Sequence, residues 1–288
     1  SDTTNAPSCT PWRDCNAGTS VTNTPSPTTD RVCTTCTTGS FSTTQNAPSC
    51  TQWTTCPSGT YEVTAGTTTS DRTCAAPTDC FALLVRNPGS TDGIYLVDPD
   101  GVSGVAAFDV YCDMTNGGWT QILDQDVTVT PGYQPVGSWL SGVTTTAPNG
   151  GQWSVLQHAG LFSNASGGYE LRIQWNSDPS TFVEWSQDTS PLVAQGIVSE
   201  LRALPTGQRS NCNAGGETPF NGLGPVPGLT PPAALTGDVA GCWWWAVGSG
   251  TEFSGGIPMY TRSDVTPAAA QIAQRTSLYV RELPASGT

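Results

Sequence analysis

The stretch Asn5-Ala6-Pro7-Ser8-Cys9-Thr10 returns 41 positions later as Asn46-Ala47-Pro48-Ser49-Cys50-Thr51, and this repeat decides the fold of the first quarter of the chain. The same displacement relates Asp30-Arg31-Val32-Cys33 to Asp71-Arg72-Thr73-Cys74. Thr, Ser, Gly and Pro fill most positions between these segments, and such residues bury too little apolar surface to offset the loss of chain entropy. We therefore expect covalent bonds to hold this region.

Eight of the eleven cysteines lie before residue 81, and three of them recur with the same displacement: Cys9, Cys15 and Cys33 return as Cys50, Cys56 and Cys74. This density in a small module is typical of disulfides formed in an oxidising, extracellular compartment. A zinc site is the alternative, because Cys33-Thr34-Thr35-Cys36 is a CxxC pair. Zinc needs four matched ligands, but Pro77 stands where the second copy of that pair would end, and the single histidine, His158, is distant.

The cysteine spacing around Cys36-Thr37-Thr38-Gly39-Ser40-Phe41, Cys56-Pro57-Ser58-Gly59-Thr60-Tyr61 and Ser70-Asp71-Arg72-Thr73-Cys74 resembles the cysteine-rich module of tumour-necrosis-factor-receptor ectodomains. That module joins its first cysteine to its second, its third to its fifth and its fourth to its sixth. Trp53 replaces the third cysteine here and the fifth has no counterpart, so one whole bridge is missing. The resemblance implies three bridges: Cys15 to Cys33, Cys36 to Cys50, and Cys56 to Cys74.

Cys9 is left without a partner by this scheme. The 41-residue period would place its partner before Ser1, which indicates that further repeats precede this segment of chain. A free thiol or a bridge to another chain is the alternative, because an odd cysteine in a secreted protein often pairs outside its own chain.

The composition favours an extracellular location and excludes two classes of partner. The net charge is −13, the sequence pI is about 4.1, and all ten basic residues are Arg. With so few cations, we expect no binding to nucleic acid or to an anionic membrane. No apolar run approaches the ~20 residues of a membrane span, and the start at Ser1 carries no signal peptide.

Apolar patterning begins after residue 76. The segment from Thr78 to Arg86 predicts a short helix with Thr78 as N-cap, ended by Asn87-Pro88. Strands are predicted at Gly93 to Val97 and at Phe108 to Cys112. Asp98-Pro99-Asp100-Gly101 predicts a turn rather than a calcium loop, because the later carboxylate of an EF-hand loop is missing.

The motifs of this region resemble the opening subdomain of fibrinogen-related domains. They are Asp79-Cys80 with Leu83-Leu84, Asp92-Gly93-Ile94-Tyr95, Asp98-Pro99-Asp100-Gly101, Phe108-Asp109-Val110-Tyr111-Cys112-Asp113-Met114 and Gly117-Gly118-Trp119-Thr120. The resemblance implies a Cys80 to Cys112 bridge and an α+β globular domain. Tyr111 and Trp119 would supply large buried areas, and the glycines would allow close packing beside them.

The resemblance weakens further along the chain. Asn211-Cys212 and Gly241-Cys242-Trp243-Trp244-Trp245 are similar to the Asn-Cys and Gly-Trp-Trp stretches that border the ligand pocket of that family, and they imply a Cys212 to Cys242 bridge. Cys242 precedes the tryptophans, whereas the family places that cysteine after them. The resemblance leaves calcium open, but the acidic run that binds it in relatives has no counterpart before Asn211. No cofactor or metal is therefore predicted. Ser277 to Glu282 resembles the closing strand of bacterial fibrinogen-like domains.

The intervening sequence predicts ordinary elements of one globular domain. Residues 169–175 alternate as a strand with one buried face, whereas 191–204 have helical spacing of apolar residues. The expected domains are a partial cysteine-rich repeat at 1–35, a second repeat at 36–76 and a fibrinogen-like domain at 77–288. The expected fold class is mostly β, or α+β.

Catalysis is not expected. A Ser-His-Asp site would have to use His158, and no Gly-x-Ser-x-Gly elbow presents a nucleophile. Paired carboxylates are the other route to hydrolysis, but solvated surface carboxylates are the more ordinary interpretation of the glutamates present.

A binding role is better supported. The candidate ligand-binding residues are Asn211, Asn213, Trp243, Trp244, Trp245 and Tyr260, although core packing explains the tryptophans equally well. The leading hypothesis is an adhesin that is secreted or attached to the cell surface, in which cysteine-rich repeats form a stalk and a fibrinogen-like head binds glycans, glycoproteins or acetylated groups. The alternative is a structural subunit of an extracellular filament, whose partners are copies of itself or other subunits. Asn164-Ala165-Ser166 is a glycosylation sequon.

Overall fold

A computed structural model of the chain forms two compact units, Ser1–Ala76 and Pro77–Thr288, and each is described by itself. The residues that it describes are 10–57, 59–101, 104–129, 136–164, 166–204, 211–212, 220, 222–225, 235–236, 242–243, 246–247, 259–261, 270–272 and 274–282. The prediction of a mostly β chain is confirmed.

The first unit consists of three two-stranded antiparallel sheets, each built from consecutive strands. The strands are β1 (Thr19–Val21), β2 (Cys33–Thr35), β3 (Ser40–Phe41), β4 (Thr51–Gln52), β5 (Tyr61–Thr64) and β6 (Thr73–Ala75). Three disulfides join the pairs that the receptor-module resemblance implies: Cys15–Cys33, Cys36–Cys50 and Cys56–Cys74. Because Cys33 and Cys36 belong to different bridges, no dithiol remains for zinc. The buried apolar residues are few and small, Ala47 and Ala76 among them, so the bridges supply the constraint that a core supplies elsewhere.

A tryptophan and an arginine occupy the place of the missing bridge. The indole Nε1 of Trp53 donates to the carbonyl of Thr67 at 3.0 Å, and the guanidinium of Arg72 lies 5.1 Å from the ring centroid. Gly66 packs so closely that a Cβ there would lie 2.5 Å from the ring. The stack thus combines a hydrogen bond, a cation–π contact and tight packing.

The first repeat builds the same stack from residues 41 positions earlier. Trp12 donates to the carbonyl of Ser26 at 3.1 Å, and Arg31 lies 5.6 Å from its ring. The repetition shows that the replacement of the bridge is part of the repeat rather than an accident of one copy.

The repeated Asn-Ala-Pro-Ser segment connects one repeat to the next within this unit. Asn46 adopts a left-handed conformation with φ 59°, which Asn tolerates better than most residues. Its amide N donates to the carbonyl of Cys15 at 2.8 Å, and its Oδ1 accepts from the amide N of Cys15 at 2.9 Å. Val21 donates to the carbonyl of Ala47 at 2.8 Å. The segment that opens the sequence repeat is therefore an inter-repeat connector.

The second unit begins with helix α1 (Cys80–Arg86), whose N-cap is Asp79 and not Thr78 as predicted. Asp79 is fully buried, and its Oδ1 accepts from the amide N of Ala82 at 2.7 Å. Its Oδ2 accepts from the amide N of Glu282 at 2.8 Å. The second bond to a residue near the far end of the chain selects Asp79 over Thr78, and sequence pattern alone does not reveal it.

A nine-stranded sheet dominates this unit. Its strands are β7 (Gly93–Val97), β8 (Phe108–Asp113), β9 (Trp119–Asp126), β10 (Val143–Thr144), β11 (Gln152–Ser154), β12 (Tyr169–Trp175), β13 (Phe182–Gln187), β14 (Val198–Leu204) and, last in the chain, β22 (Arg275–Arg281). Their order in the sheet is β10-β11-β9-β22-β12-β13-β14, while β8 pairs with β7 and with the start of β9. The predicted strands at 93–97, 108–112 and 169–175 are confirmed, and so is the turn at 98–101.

The remaining elements are short. They are α2 (Val136–Trp139), a 3₁₀ helix (Leu156–Phe162), β15 (Asn211–Cys212), β16 (Gly224–Pro225), β17 (Leu235–Thr236), β18 (Cys242–Trp243), β19 (Ala246–Val247), β20 (Met259–Thr261) and β21 (Ala270–Ile272). β15 pairs with β18, β17 lies between β16 and β19, and β20 pairs with β21.

The predicted helix at 191–204 is wrong, because residues 198–204 form β14 at the edge of the sheet. β14 pairs antiparallel with β13 through a bulge, and Glu200 takes a left-handed φ of 53° there. Val193 and Ile197, which helical spacing would turn toward a core, are 72% and 78% exposed. β-Branched residues and a partner strand outweigh a helical pattern of this length.

Both faces of the sheet are covered, so the prediction of one buried face for β12 is also wrong. Leu171, Ile173 and Trp175 pack into the main apolar core on one face. On the other face, Arg172 is 2% exposed and Gln174 is 9% exposed. The second face is therefore a buried polar layer, and it forms the candidate site.

The Gly117-Gly118-Trp119 motif fixes the start of β9 against helix α1. The Arg281 guanidinium lies 4.2 Å from the Trp119 ring centroid, and Cys80 is bridged to Cys112 as the fibrinogen-related resemblance implies. Gly118 has φ 77°, and a Cβ there would lie 2.8 Å from Cα of Phe81. A side chain at this position would meet backbone, which cannot move aside cheaply.

We expect Gly118→Ala to lower the free energy of unfolding by about 2 to 4 kcal/mol, since it adds both a clash and an unfavourable φ. Gly160→Ala is the matched control, because a Cβ at Gly160 has nothing within 4 Å and φ is ordinary there. Urea unfolding of both variants measures the difference. Equal stabilities would contradict the packing argument.

Asp79 predicts a pH dependence of stability. Burial raises the pKa of its carboxyl to about 6, against the opposing effect of the bonds from Ala82 and Glu282. This pKa is above that of an aspartate in the unfolded chain, so the folded state binds a proton more tightly. Asp79 therefore favours folding more as the pH falls from about 6 to about 4. The full difference is about 3 kcal/mol. Asp79→Asn removes this titration, so the stability of the parent chain relative to the variant should rise between pH 7 and pH 4.5 in urea unfolding. Parallel pH curves would contradict the assignment.

Candidate functional site

The structure places only part of the predicted ligand-binding set. Asn211 lies directly opposite Trp243, and Cys212 opposite Cys242, in the β15–β18 pair, while Tyr260 lies opposite Gln271 in the β20–β21 pair. Asn213, Trp244, Trp245 and Cys9 lie outside the described residues, as do the side chains of the residues on these short strands. The backbone therefore brings Asn211 and Trp243 together, and the Cys212 to Cys242 bridge stays a prediction.

A cavity of about 370 Å³ opens on the polar face of the large sheet, in a part of the unit where the structure describes every lining residue. We call it the polar pocket. It is lined by Asp92, Tyr111, Asp113, Thr115, Asn116, Asn149, Gln174, Ser177, Pro179, Arg275, Ser277 and Tyr279.

Arg275 organises one wall of the polar pocket. Its Nε and Nη2 donate to the two carboxylate oxygens of Asp124 at 2.9 and 2.7 Å, a bidentate pair. Asp124 is fully buried and also accepts from Ser277 Oγ at 2.8 Å. The remaining donors reach Asn149 Oδ1 at 2.6 Å and Ser177 Oγ at 2.9 Å. One guanidinium thus ties a strand, a loop and a turn together.

Two of the residues that Arg275 holds adopt left-handed backbone conformations. Asn149 has φ 63° and Ser177 has φ 56°, next to Asn176 with φ 53°. Asn176 and Ser177 form the centre of the turn between β12 and β13, which is closed by the bond from the amide N of Asp178 to the carbonyl of Trp175 at 3.0 Å. Two central residues with positive φ define a type I′ turn, which suits a hairpin but favours Asn and Gly over Ser. The bond from Arg275 to Ser177 helps to hold this less favoured residue there.

The opposite wall is built around Asp113 at the end of β8. Its carboxylate accepts from the backbone amide and the side-chain Nδ2 of Asn116 at 3.1 and 2.9 Å. Arg172 Nη1 lies 3.4 Å behind it, and both side chains are almost completely buried. At the rim, exposed Asp92 accepts from the amide N and hydroxyl of Thr115 at 2.8 and 3.0 Å.

Three uncharged side chains complete the interior. Burial raises the pKa of Tyr279, so this phenol stays protonated, and its oxygen accepts from Gln121 Nε2 at 3.3 Å. The Gln174 side chain is mostly buried, but its amide lines the cavity, and it is not among the sealed, unpaired polar atoms of the described residues. The Tyr111 hydroxyl lines the same cavity. The polar pocket therefore offers an amide and a phenol beside aromatic surface.

Sequence reasoning found the segments of this site without finding the site. Asp92, Tyr111 and Asp113 lie in the fibrinogen-related motifs, where Tyr111 was predicted to pack, and Gln174 lies on the predicted strand β12. No sequence motif marked Asn149, Ser177 or Arg275 as residues of a binding site. The uninterrupted row of polar residues at alternate positions of β12 and β22 was the available hint.

Other predicted chemistry has ordinary structural roles. His158 is half-buried and stacks on Phe108 with ring centroids 5.3 Å apart. Within the described ranges, no three His, Cys, Asp or Glu side chains gather as a metal site would require. No helix in those ranges is long and apolar enough to cross a membrane.

Comparison with known proteins agrees with the resemblance of the first unit. Residues 36–74 match the family described as the TNFR/NGFR cysteine-rich region. A search of curated proteins gave no match.

The chain is also similar to solved structures of fibrinogen type. Among them are the fibrinogen-like globe domain of human ANGPTL6 (15% identity, TM-score 0.41, covering 73% of this chain and 96% of that one) and that of human ANGPTL2 (16%, 0.41, 72% and 100%). A third is lamprey fibrin D-dimer complexed with the peptide ligand Gly-His-Arg-Pro-amide (18%, 0.42, 74% and 76%).

We expect Arg275→Lys to lower the free energy of unfolding by about 2 to 4 kcal/mol, because a lysine cannot make the bidentate bond and leaves buried Asp124 partly unpaired. Arg202→Lys is the control: Arg202 pairs with Glu184 at 2.9 Å, but its side chain is 64% exposed. Arg202→Lys should change the free energy of unfolding by less than about 0.5 kcal/mol. Similar effects of the two changes in urea unfolding would contradict a special role for Arg275.

Proposed function

We propose that this chain is an extracellular binding protein of the adhesin type, in which the unit that follows the cysteine-rich repeats recognises glycans or acetylated groups without catalysis. The observation that carries the proposal is the polar pocket, which the Gln174 amide and the Tyr111 hydroxyl line beside aromatic surface.

The Gln174 amide faces the cavity, so a ligand can hydrogen-bond to it by displacing water rather than by breaking a bond within the protein. Gln174 can both donate and accept, and Tyr111 supplies a further hydroxyl. A sugar offers hydroxyl or acetamido groups to these side chains and an apolar ring face to the tyrosines. This combination of groups is what a glycan site needs.

Three observations support the extracellular location. Four disulfides constrain the described chain, and residues 36–74 match a receptor-type cysteine-rich region. The motifs between residues 79 and 120 resemble fibrinogen-related domains, whose members commonly bind sugars or acetylated groups.

The cluster predicted from sequence, Asn211, Asn213, Trp243, Trp244, Trp245 and Tyr260, is proposed as a second binding element. The resemblance supports it, and so does the pairing of Asn211 with Trp243. A Trp244→Ala variant that kept full glycan binding would remove that tryptophan from the site.

A glycan array probed with the whole chain tests the function. We expect binding that Gln174→Met weakens about tenfold, since the variant keeps the volume and removes one hydrogen-bonding group. Gln157→Met is the control, because Gln157 is exposed and does not line the pocket. Absence of binding at millimolar sugar, with and without a chelator, would refute the adhesin proposal. If the Gln174→Met variant bound glycans as well as the parent chain does, the polar pocket would not be the glycan site.

A filament subunit is the second candidate, and strand β14 is the observation that favours it. β14 ends the order of the large sheet, and Val193, Ile197 and Leu201 beside or on it are 72%, 78% and 46% exposed. A strand at the end of a sheet with apolar side chains beside it can pair with a strand of another chain. Regular assemblies of the purified chain in electron micrographs would favour this function.

A further inference from the structure

The charges around the polar pocket are matched except at one residue. Arg275 is paired with Asp124 at 2.7 Å, and Arg172 lies 3.4 Å from Asp113. Each cation near the pocket therefore has its own carboxylate. Asp92 also lines the pocket and has no cationic partner within the described part of the chain. One negative charge at the rim is left uncompensated.

The position of this charge is fixed. Both oxygens of Asp92 accept hydrogen bonds from Thr115, one from the amide N and one from the hydroxyl. The carboxylate is consequently oriented by the neighbouring chain even though it is exposed to solvent, and it does not swing away as an unrestrained surface carboxylate would.

Tyr111 reports the sign of the local potential. Burial is the main cause that raises the pKa of its phenol, and the charges of Asp92 and then Asp113 raise it further, with Arg275 opposing them. The phenol is therefore a neutral hydrogen-bond donor at physiological pH. The negative charges of Asp92 and Asp113 disfavour an anionic group beside it.

The groups left free for a ligand are all uncharged. The Gln174 amide and the Tyr111 hydroxyl can bind hydroxyl, acetamido or ether oxygens, but neither can neutralise a carboxylate. The charge of Arg275 is already compensated by Asp124, to which it is paired through two hydrogen bonds. A ligand carboxylate would meet Asp92, and both cations near the pocket are already paired with carboxylates of the protein.

We propose that the polar pocket selects uncharged sugar residues over sugars that carry a carboxylate, and that Asp92 is the side chain that sets this preference. The inference rests on the proposed function, since it names the class of glycan that the same site takes.

The test compares neutral and acidic sugars on the whole chain. Competition against array-bound glycan is measured with methyl glycosides of glucose, galactose and N-acetylglucosamine, and with the corresponding glucuronide and galacturonide and their methyl esters. We expect the neutral glycosides and the esters to compete better than the uronates. The preference should shrink as salt is raised, because the charge of Asp92 is exposed.

Asp92→Asn is the informative variant, since an amide can still accept from the Thr115 amide N and donate to its hydroxyl. It should improve competition by the uronates, relative to competition by the neutral glycosides, by roughly fivefold at low salt. Asp109→Asn is the matched control: Asp109 is exposed on the same strand as Tyr111 but does not line the pocket.

The outcomes separate this inference from the proposed function. If the parent chain binds glycans but the uronates compete as well as their esters, the selectivity is refuted while glycan binding stands. The same holds if Asp92→Asn affects uronates no more than Asp109→Asn does. If the chain binds no glycan, both proposals fall.

Discussion

The bidentate pair between Arg275 and Asp124 is the interaction on which the second unit depends. Asp124 lies fully buried in the middle of the large sheet, where an ionised carboxylate without a partner would be untenable. Because Arg275 must approach it, strand β22 is fixed beside β9 in one register. The remaining donors of the same guanidinium then fix Asn149 and Ser177. The sheet register and the pocket wall thus have a common cause.

The first unit is held in one structure by different means. It has little apolar core, and disulfide bridges supply the constraint that such a core would supply. Where the module has lost a bridge, the tryptophan and arginine of each repeat supply a weaker constraint that survives reduction. A tryptophan stands at the third cysteine position of the module, and it is large enough to pack and able to donate a hydrogen bond.

The sequence predicted what local pattern and repetition encode. The strands at 93–97 and 169–175 and the mostly β class follow from such signals. The helix at 191–204 failed because apolar spacing does not reveal a partner strand. The polar pocket was missed because its wall joins Asp124 to Arg275, residues 151 positions apart, and single-sequence patterns carry no information about pairs at that distance. The Asp79 cap was missed for the same reason, since its second bond reaches Glu282.

Binding and stability are coupled in this pocket through the strands that line it. Ser177 is held in a conformation that suits glycine or asparagine better, and the pair between Arg275 and Asp124 holds the strands around it. A ligand that hydrogen-bonds to the Gln174 amide makes this contact with β12 only in the folded state. Its binding free energy therefore adds to the stability of the sheet, and the strand that forms the floor of the site is the one most directly stabilised.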